Sequence, residues 1–159
     1  TEALDQAWRS LVGSGSGVPM SLEVMGRSVR VPRAAMGVAR FFFHDLCEQP
    51  LAASDYLRIA HDFHTVIVDR IPMMQYEDRN PAKRFIILID TLYEHSVKLI
   101  ASAAAEPDDL YIATQGYEAN EFKRTASRLI EMRSESYLAL PHGKRDSAAT
   151  GSSEGIVET

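Results

Sequence analysis

Cysteine is nearly absent: Cys47 is the single one in 159 residues. That excludes an intrachain disulfide, and nothing points to an oxidising compartment. A basic surplus is absent too. The 17 Lys and Arg face 22 Asp and Glu, for a net charge of −5. A dedicated nucleic-acid module needs positive surface to neutralise phosphates, so no nucleic-acid partner is expected. No apolar run is long enough to span a bilayer. The polar start at Thr1-Glu2 shows no secretory leader, and the expected location is cytoplasmic. An initiator Met is missing as well, so a fragment or a truncated product is expected. Two catalytic signatures are lacking. No serine stands in a G-x-S-x-G elbow, and G-x-x-x-x-G-K-[ST] occurs nowhere. Without that loop's N–H cradle and lysine, a triphosphate has no seat.

What is present is an ordinary globular composition, 45% hydrophobic and 25% charged, enough for one domain with a core. The chain is organised around Arg79–Tyr111. Asn80 suits an N-cap and Pro81 the first helical turn. Phe85, Leu88, Ile89 and Leu92 follow the spacing of one apolar helix face, widened by Ile86, Ile87 and Tyr93. Val97–Ala105 then reads as a buried central strand, stopped by Glu106-Pro107. The expected core is Phe85, Leu88, Ile89, Leu92, Val97, Leu99 and Ile100.

In chain order, residues 1–12 form a short amphipathic helix with Leu4, Trp8 and Leu11/Val12 on one face. Residues 13–20, opening with Gly13-Ser14-Gly15-Ser16-Gly17, form a flexible connector. An α/β domain covers 21–140. It opens with a hairpin, Leu22, Val24, Val29 and Val31 flanking a turn at Gly26-Arg27, kept at a sheet edge by Pro19 and Pro32. Strands at 38–43, 66–68 and 98–103 alternate with helices at 54–63, capped by Ser54, and 80–95. A short helix spans 107–111, a loop 114–120 and a last helix 124–138. The tail, 141–159, is small, polar and expected to be disordered. Strand–helix alternation predicts an α/β fold with a mixed, mainly parallel sheet, flanking helices, an N-terminal β-hairpin and a C-terminal helix.

Several side chains invite a chemical reading. His44-x-x-Cys47 and His61-x-x-His64 have metal-like spacing, but one cysteine and scattered histidines make structural roles the better expectation, and no metal is expected. Asp69, after a short apolar strand, has the place of an acid that holds Mg²⁺ in nucleotide hydrolases; many βα loops begin with Asp for other reasons. Ser102 is polar at the carboxyl edge of a strand, where α/β ligands bind, and is the candidate cofactor-binding residue. Arg124, Arg128, Glu131 and Arg133 read first as a solvated helix face.

Three long motifs then stand in order: RF-x-x-LID-x-LYE, VKL-x-x-SA and RT-x-SRL-x-EM-x-S-x-x-YL. With the run from Arg30 to Met74, they make the chain resemble the C-terminal part of the ZapE-like, AFG-type P-loop AAA ATPases, from about Leu4 onward. The resemblance implies ATP and Mg²⁺ as cofactors of the whole protein, with none bound by this chain alone. It implies ATP hydrolysis in cell division or membrane-protein quality control, peripheral to the inner face of a membrane. It also implies partners: an upstream P-loop half, further copies in a homo-oligomer, and a division-ring or membrane protein. The order strand, polar residue, short helix, loop, arginine-bearing helix resembles an AAA core from its sensor to its arginine finger. Arg128 is the first candidate finger and Arg124 the second; pairing of Arg128 with a neighbour such as Glu131 is the competing reading. The alternative function is a non-enzymatic interaction module that docks a division or membrane protein.

Overall fold

Two Met-Gly turns build the first half of the sheet. Strand β1 (Val18–Val24) reverses at Met25-Gly26 into β2 (Arg27–Ala35), and β2 reverses at Met36-Gly37 into β3 (Val38–Phe42). All four turn residues have positive φ: 49° and 81° in the first turn, 53° and 79° in the second. That is the primed-turn geometry matching strand twist, cheap at glycine and unusual at methionine. The first turn therefore sits one residue before the expected Gly26-Arg27. The second had no turn signal beyond one glycine.

The computed structural model describes residues 2–144. Most of the expected tail, from 145 onward, lies outside the described residues.

The sheet runs in the order β1-β2-β3-β4-β5. β3, β4 (Thr65–Ile71) and β5 (Lys98–Ala103) are parallel, with Val66 opposite Ala39 on one side and Leu99 on the other. Helices α2 (Phe43–Cys47) and α3 (Ala53–Asp62) connect β3 to β4, and α4 (Arg79–Glu94) connects β4 to β5. The fold is a mixed α/β sheet, antiparallel at its hairpins, parallel in its second half and flanked by helices. Two placements differ from expectation. β2 is interior, and Pro32 is tolerated because it falls where the β1–β2 register shifts. β5 is an edge strand, not a central one, so Leu99 and Ile100 are half-buried instead of core.

Alternation in β3–β5 divides the packing. Ala39, Phe41, Val66, Val68 and Ile71 face the main core with α2–α4 and α5 (Tyr117–Glu131), while Val38 and Ile67 face Leu4 and Trp8 of α1 (Glu2–Val12) on the other side. Phe85, Leu88, Ile89, Leu92 and Val97 are fully buried, as their spacing predicts. Ile87 points outward, 38% exposed. Phe85 packs against Phe43 and stacks on Phe122 of α5, with centroids 6.0 and 5.8 Å away. Each such side chain contributes about 1.5–3 kcal/mol by leaving water.

Helix ends differ where caps were misread. α4 starts at Arg79, and Asn80 lies within its first turn. α3 is capped by Asp55, whose Oδ2 accepts the Ala52 N–H at 2.8 Å, not by Ser54. The expected loop at 114–120 and helix at 124–138 are redistributed. Helix α5 (Tyr117–Glu131) begins after Gly116, and α6 (Glu135–Leu138) is separate, with Ser134 Oγ accepting the Tyr137 N–H. Pro107–Asp109 is a single 3₁₀ turn.

Candidate functional site

The carboxyl ends of the parallel strands are where an α/β sheet offers a site, and β3 and β4 present opposite charges there. Arg40 Nε and Nη2 donate to Asp69 Oδ2 and Oδ1 at 2.8 and 3.1 Å. Arg40 Nη1 lies 2.8 Å from Asp5 Oδ1 of α1, an ion-pair contact off the line of a hydrogen bond. Asp69 is 2% exposed. Burial opposes its ionisation, but the Arg40 hydrogen bonds and charge outweigh this and hold its carboxyl below the usual carboxylate range. The Arg40 guanidinium beside it likewise holds the Asp5 carboxyl below the usual carboxylate range. Arg40 therefore ties Asp5 of the first helix to the sheet, and Asp69, taken up by Arg40, is not open to Mg²⁺ in this arrangement. The sequence showed Asp69 but not Arg40, 29 residues earlier in the chain.

The next residue leaves the ladder. β4 has a register shift between Val68 and Ile71, and Arg70 takes φ of +64° in the bulge. Its backbone N–H donates to Ser102 Oγ at 2.8 Å. Its guanidinium lies 5.7 Å from the centre of the half-exposed Phe42 ring. Among the described residues it has no carboxylate partner. Phe42, Phe43, His44, Glu48, Arg70 and Pro72 line an open hollow of about 400 Å³. Ser102, the candidate ligand-binding residue, thus supports this bulge from the neighbouring strand.

Arg124 and Arg128 lie elsewhere, on α5, and converge on Asp90 of α4. Arg128 Nη1 donates to Asp90 Oδ1, and Arg124 Nη2 reaches Asp90 Oδ2 at 3.3 Å and Glu121 Oε1 at 2.9 Å. The Arg128 guanidinium also covers the Tyr93 ring at 4.7 Å, and Tyr93 Oη donates to Glu131 at 2.9 Å. Arg128 thus takes its carboxylate from α4, not from Glu131 one turn on. Arg–carboxylate pairing and the cation–π contact together clamp α4 to α5.

The histidines serve local structure. His44 Nδ1 meets Glu48 and its Nε2 meets Gln49, each at 2.9 Å. Cys47 is buried, and that burial pushes its thiol well up, out of reach as a thiolate ligand. His61 pairs with Asp62. His64 Nε2 donates to the Met36 carbonyl, and its ring fills the space beside Gly37, where a Cβ would approach to 2.5 Å. Among the described residues no three His, Cys, Asp or Glu converge as metal ligands.

The family model for AFG1-like ATPases matches residues 1–141. The chain belongs to the AFG1-like ATPase family. It is 36% identical to the cell division protein ZapE of Escherichia coli over 144 residues, covering 87% of this chain and 36% of that protein. It is 36% identical to lactation elevated protein 1 homolog B of Danio rerio over 149 residues, covering 75% of this chain and 30% of that one. An uncharacterised protein of Schizosaccharomyces pombe is 34% identical over 146 residues, 76% of this chain and 32% of its own. The chain thus spans 30–36% of the length of these relatives. No solved structure matches it. The described residues do not suit a nucleoside triphosphate: the one acid at the end of β4 is taken by Arg40, and no glycine-rich cradle adjoins it. No described helix is long and apolar enough to cross a membrane.

Proposed function

We propose that this chain is a working part of an ATP-hydrolysing protein of the AFG1-like family, and that nucleotide and Mg²⁺ are held by a P-loop portion outside these 159 residues. The observation that carries this reading is a pair of facts. The family model covers 141 residues, yet no Walker A loop occurs in the sequence. The chain alone is then inactive. Phosphate release with Mg²⁺ and ATP should stay at background for the 159 residues and rise when a P-loop portion shares the polypeptide. Turnover that follows the short chain through purification overturns this division of labour.

The name of the Escherichia coli relative supports a role in cell division. The sequence resemblance supports membrane-protein quality control as the other setting, with a division-ring or membrane protein as partner and a cytoplasmic or membrane-peripheral location. In a homo-oligomer, Arg128 remains the proposed trans-acting arginine and Arg124 the second. A planar, permanently charged guanidinium suits the charge on a transferring phosphoryl group. To act so, Arg128 must exchange Asp90 for phosphoryl oxygen, which makes Asp90 its positioning partner in the resting state.

A further inference from the structure

The two edges of the sheet are built differently. β1 carries Pro19, Glu23 and a register shift, devices that keep an edge from pairing. β5 carries no charge, proline or glycine from Leu99 to Ala103, and the one register shift in its ladder is a bulge of β4, between Val68 and Ile71, on the side away from the open edge. Among the described residues it pairs with β4 on one side only, so its outer row of N–H and C=O groups is presented for another strand. Beside it lies a cavity of about 230 Å³, lined by apolar residues that include Leu99, Ala101, Ala103, Leu129 and Met132, and by the solvent-exposed Arg133, whose guanidinium pairs with Glu106. Ala101 and Ala103 are exposed although they alternate with Ile100 toward the side where α5 packs. Small residues on the floor leave room for a large aliphatic side chain from outside. An extended strand laid along β5 satisfies both features, with backbone bonds to the edge and alternate side chains into the cavity.

We propose that β5 is the docking edge for a strand from the nucleotide-binding portion of the family protein, with one large aliphatic side chain of that strand in the cavity. This rests on the proposed function, in which a P-loop portion works with these residues. The relatives are about three times as long as the matched stretch, so the portion that must meet this chain is large. On one polypeptide its effective concentration reaches the order of millimolar, ahead of a second copy. An unguarded apolar edge left open would also invite aggregation.

The test compares amide hydrogen exchange in β5 between the 159-residue chain and the whole gene product, or a mixture with the nucleotide-binding portion where that is a separate chain. Outward amides of Leu99–Ala103 should exchange roughly 100-fold more slowly in the larger protein. Ala103→Arg, which puts a guanidinium into the cavity, should restore fast exchange there and leave the melting of the short chain unchanged. Ala101→Lys serves if that variant melts. Equal exchange in short and whole proteins overturns the proposal. Slow exchange already in the short chain, dependent on concentration, assigns the edge to a second copy and overturns it too. ATP turnover of the wild-type whole protein is read separately. Its absence sinks the ATPase reading, while the exchange data still decide the docking edge.

Discussion

Arg40 and Asp69 meet diagonally across the parallel β3–β4 ladder, joined by two hydrogen bonds of 2.8 and 3.1 Å with almost no solvent contact. A charge pair so placed is costly to break from one side, because the remaining ion stays buried. Arg40→Met should destabilise the protein by about 3–5 kcal/mol at neutral pH. The sign with pH is definite. In the wild type the folded-state pKa of Asp69 is lowered, so its contribution is complete above the unfolded value, about 3.9, and is lost as pH falls through the folded one. In Arg40→Met burial acts on Asp69 without the guanidinium, its folded pKa rises, and the penalty should shrink between pH 7 and pH 4. Urea melts across that range check it; a penalty that grows on acidification contradicts the pairing.

Leu88 and Ile87 are neighbours on α4 with opposite fates, one fully buried and one 38% exposed. Leu88→Ala should cost roughly 2–5 kcal/mol. Ile87→Ala should cost less than about 1 kcal/mol, since little apolar surface leaves the core. Denaturant melts of both variants measure the difference, and equal losses would mean that α4 is rotated from the position described.

Arg70 holds a backbone conformation that glycine adopts freely. Arg70→Gly should therefore leave stability unchanged or raise it by up to about 1 kcal/mol. Ser102→Ala removes the acceptor of the Arg70 N–H and should cost about 1 kcal/mol. A large loss in Arg70→Gly would show that the guanidinium, not the backbone, sustains the bulge.

Arg128→Ala separates clamp from finger. As a clamp, Arg128 contributes about 1–2 kcal/mol through Asp90 and Tyr93, and thermal melting of the 159-residue chain should fall accordingly. As a trans-acting arginine, its loss should lower kcat of the whole protein by at least about 10³-fold with nucleotide affinity unchanged. Mixing with a subunit dead in its P-loop should then restore part of the activity. Unchanged kcat with a lowered melting point would leave Arg128 a structural residue.

The α4 core was legible because Phe85, Leu88, Ile89 and Leu92 repeat with the helical period, a local signal. β5 was legible as a strand but not as an edge, because an apolar run looks the same whether one neighbour or two are present. The start of α5 was missed because Tyr117-Glu118-Ala119-Asn120 carries no capping side chain, and the helix is held by the burial of Glu118 and Phe122 instead. Asp90 with Arg128, Arg40 with Asp69 and Asp55 with Arg27 are pairs 38, 29 and 28 residues apart. Spacing rules reach only about four residues along a helix, so these partners appear only in three dimensions.

Because neighbours in the sheet are also neighbours in the chain, each strand finds its partner already made as the polypeptide emerges from the ribosome. Loop closure stays short at every step, and β2 to β5 can each add to a growing template as soon as they are synthesised. The exception is the first element. Helix α1 packs on Val38 and Ile67 and contacts β5, so Trp8 has no complete seat until some ninety residues later. Vectorial synthesis thus makes the oldest segment of this chain wait for a strand made long after it, and a nascent-chain crosslink from Trp8 to β4 should appear only after β5 has left the exit tunnel.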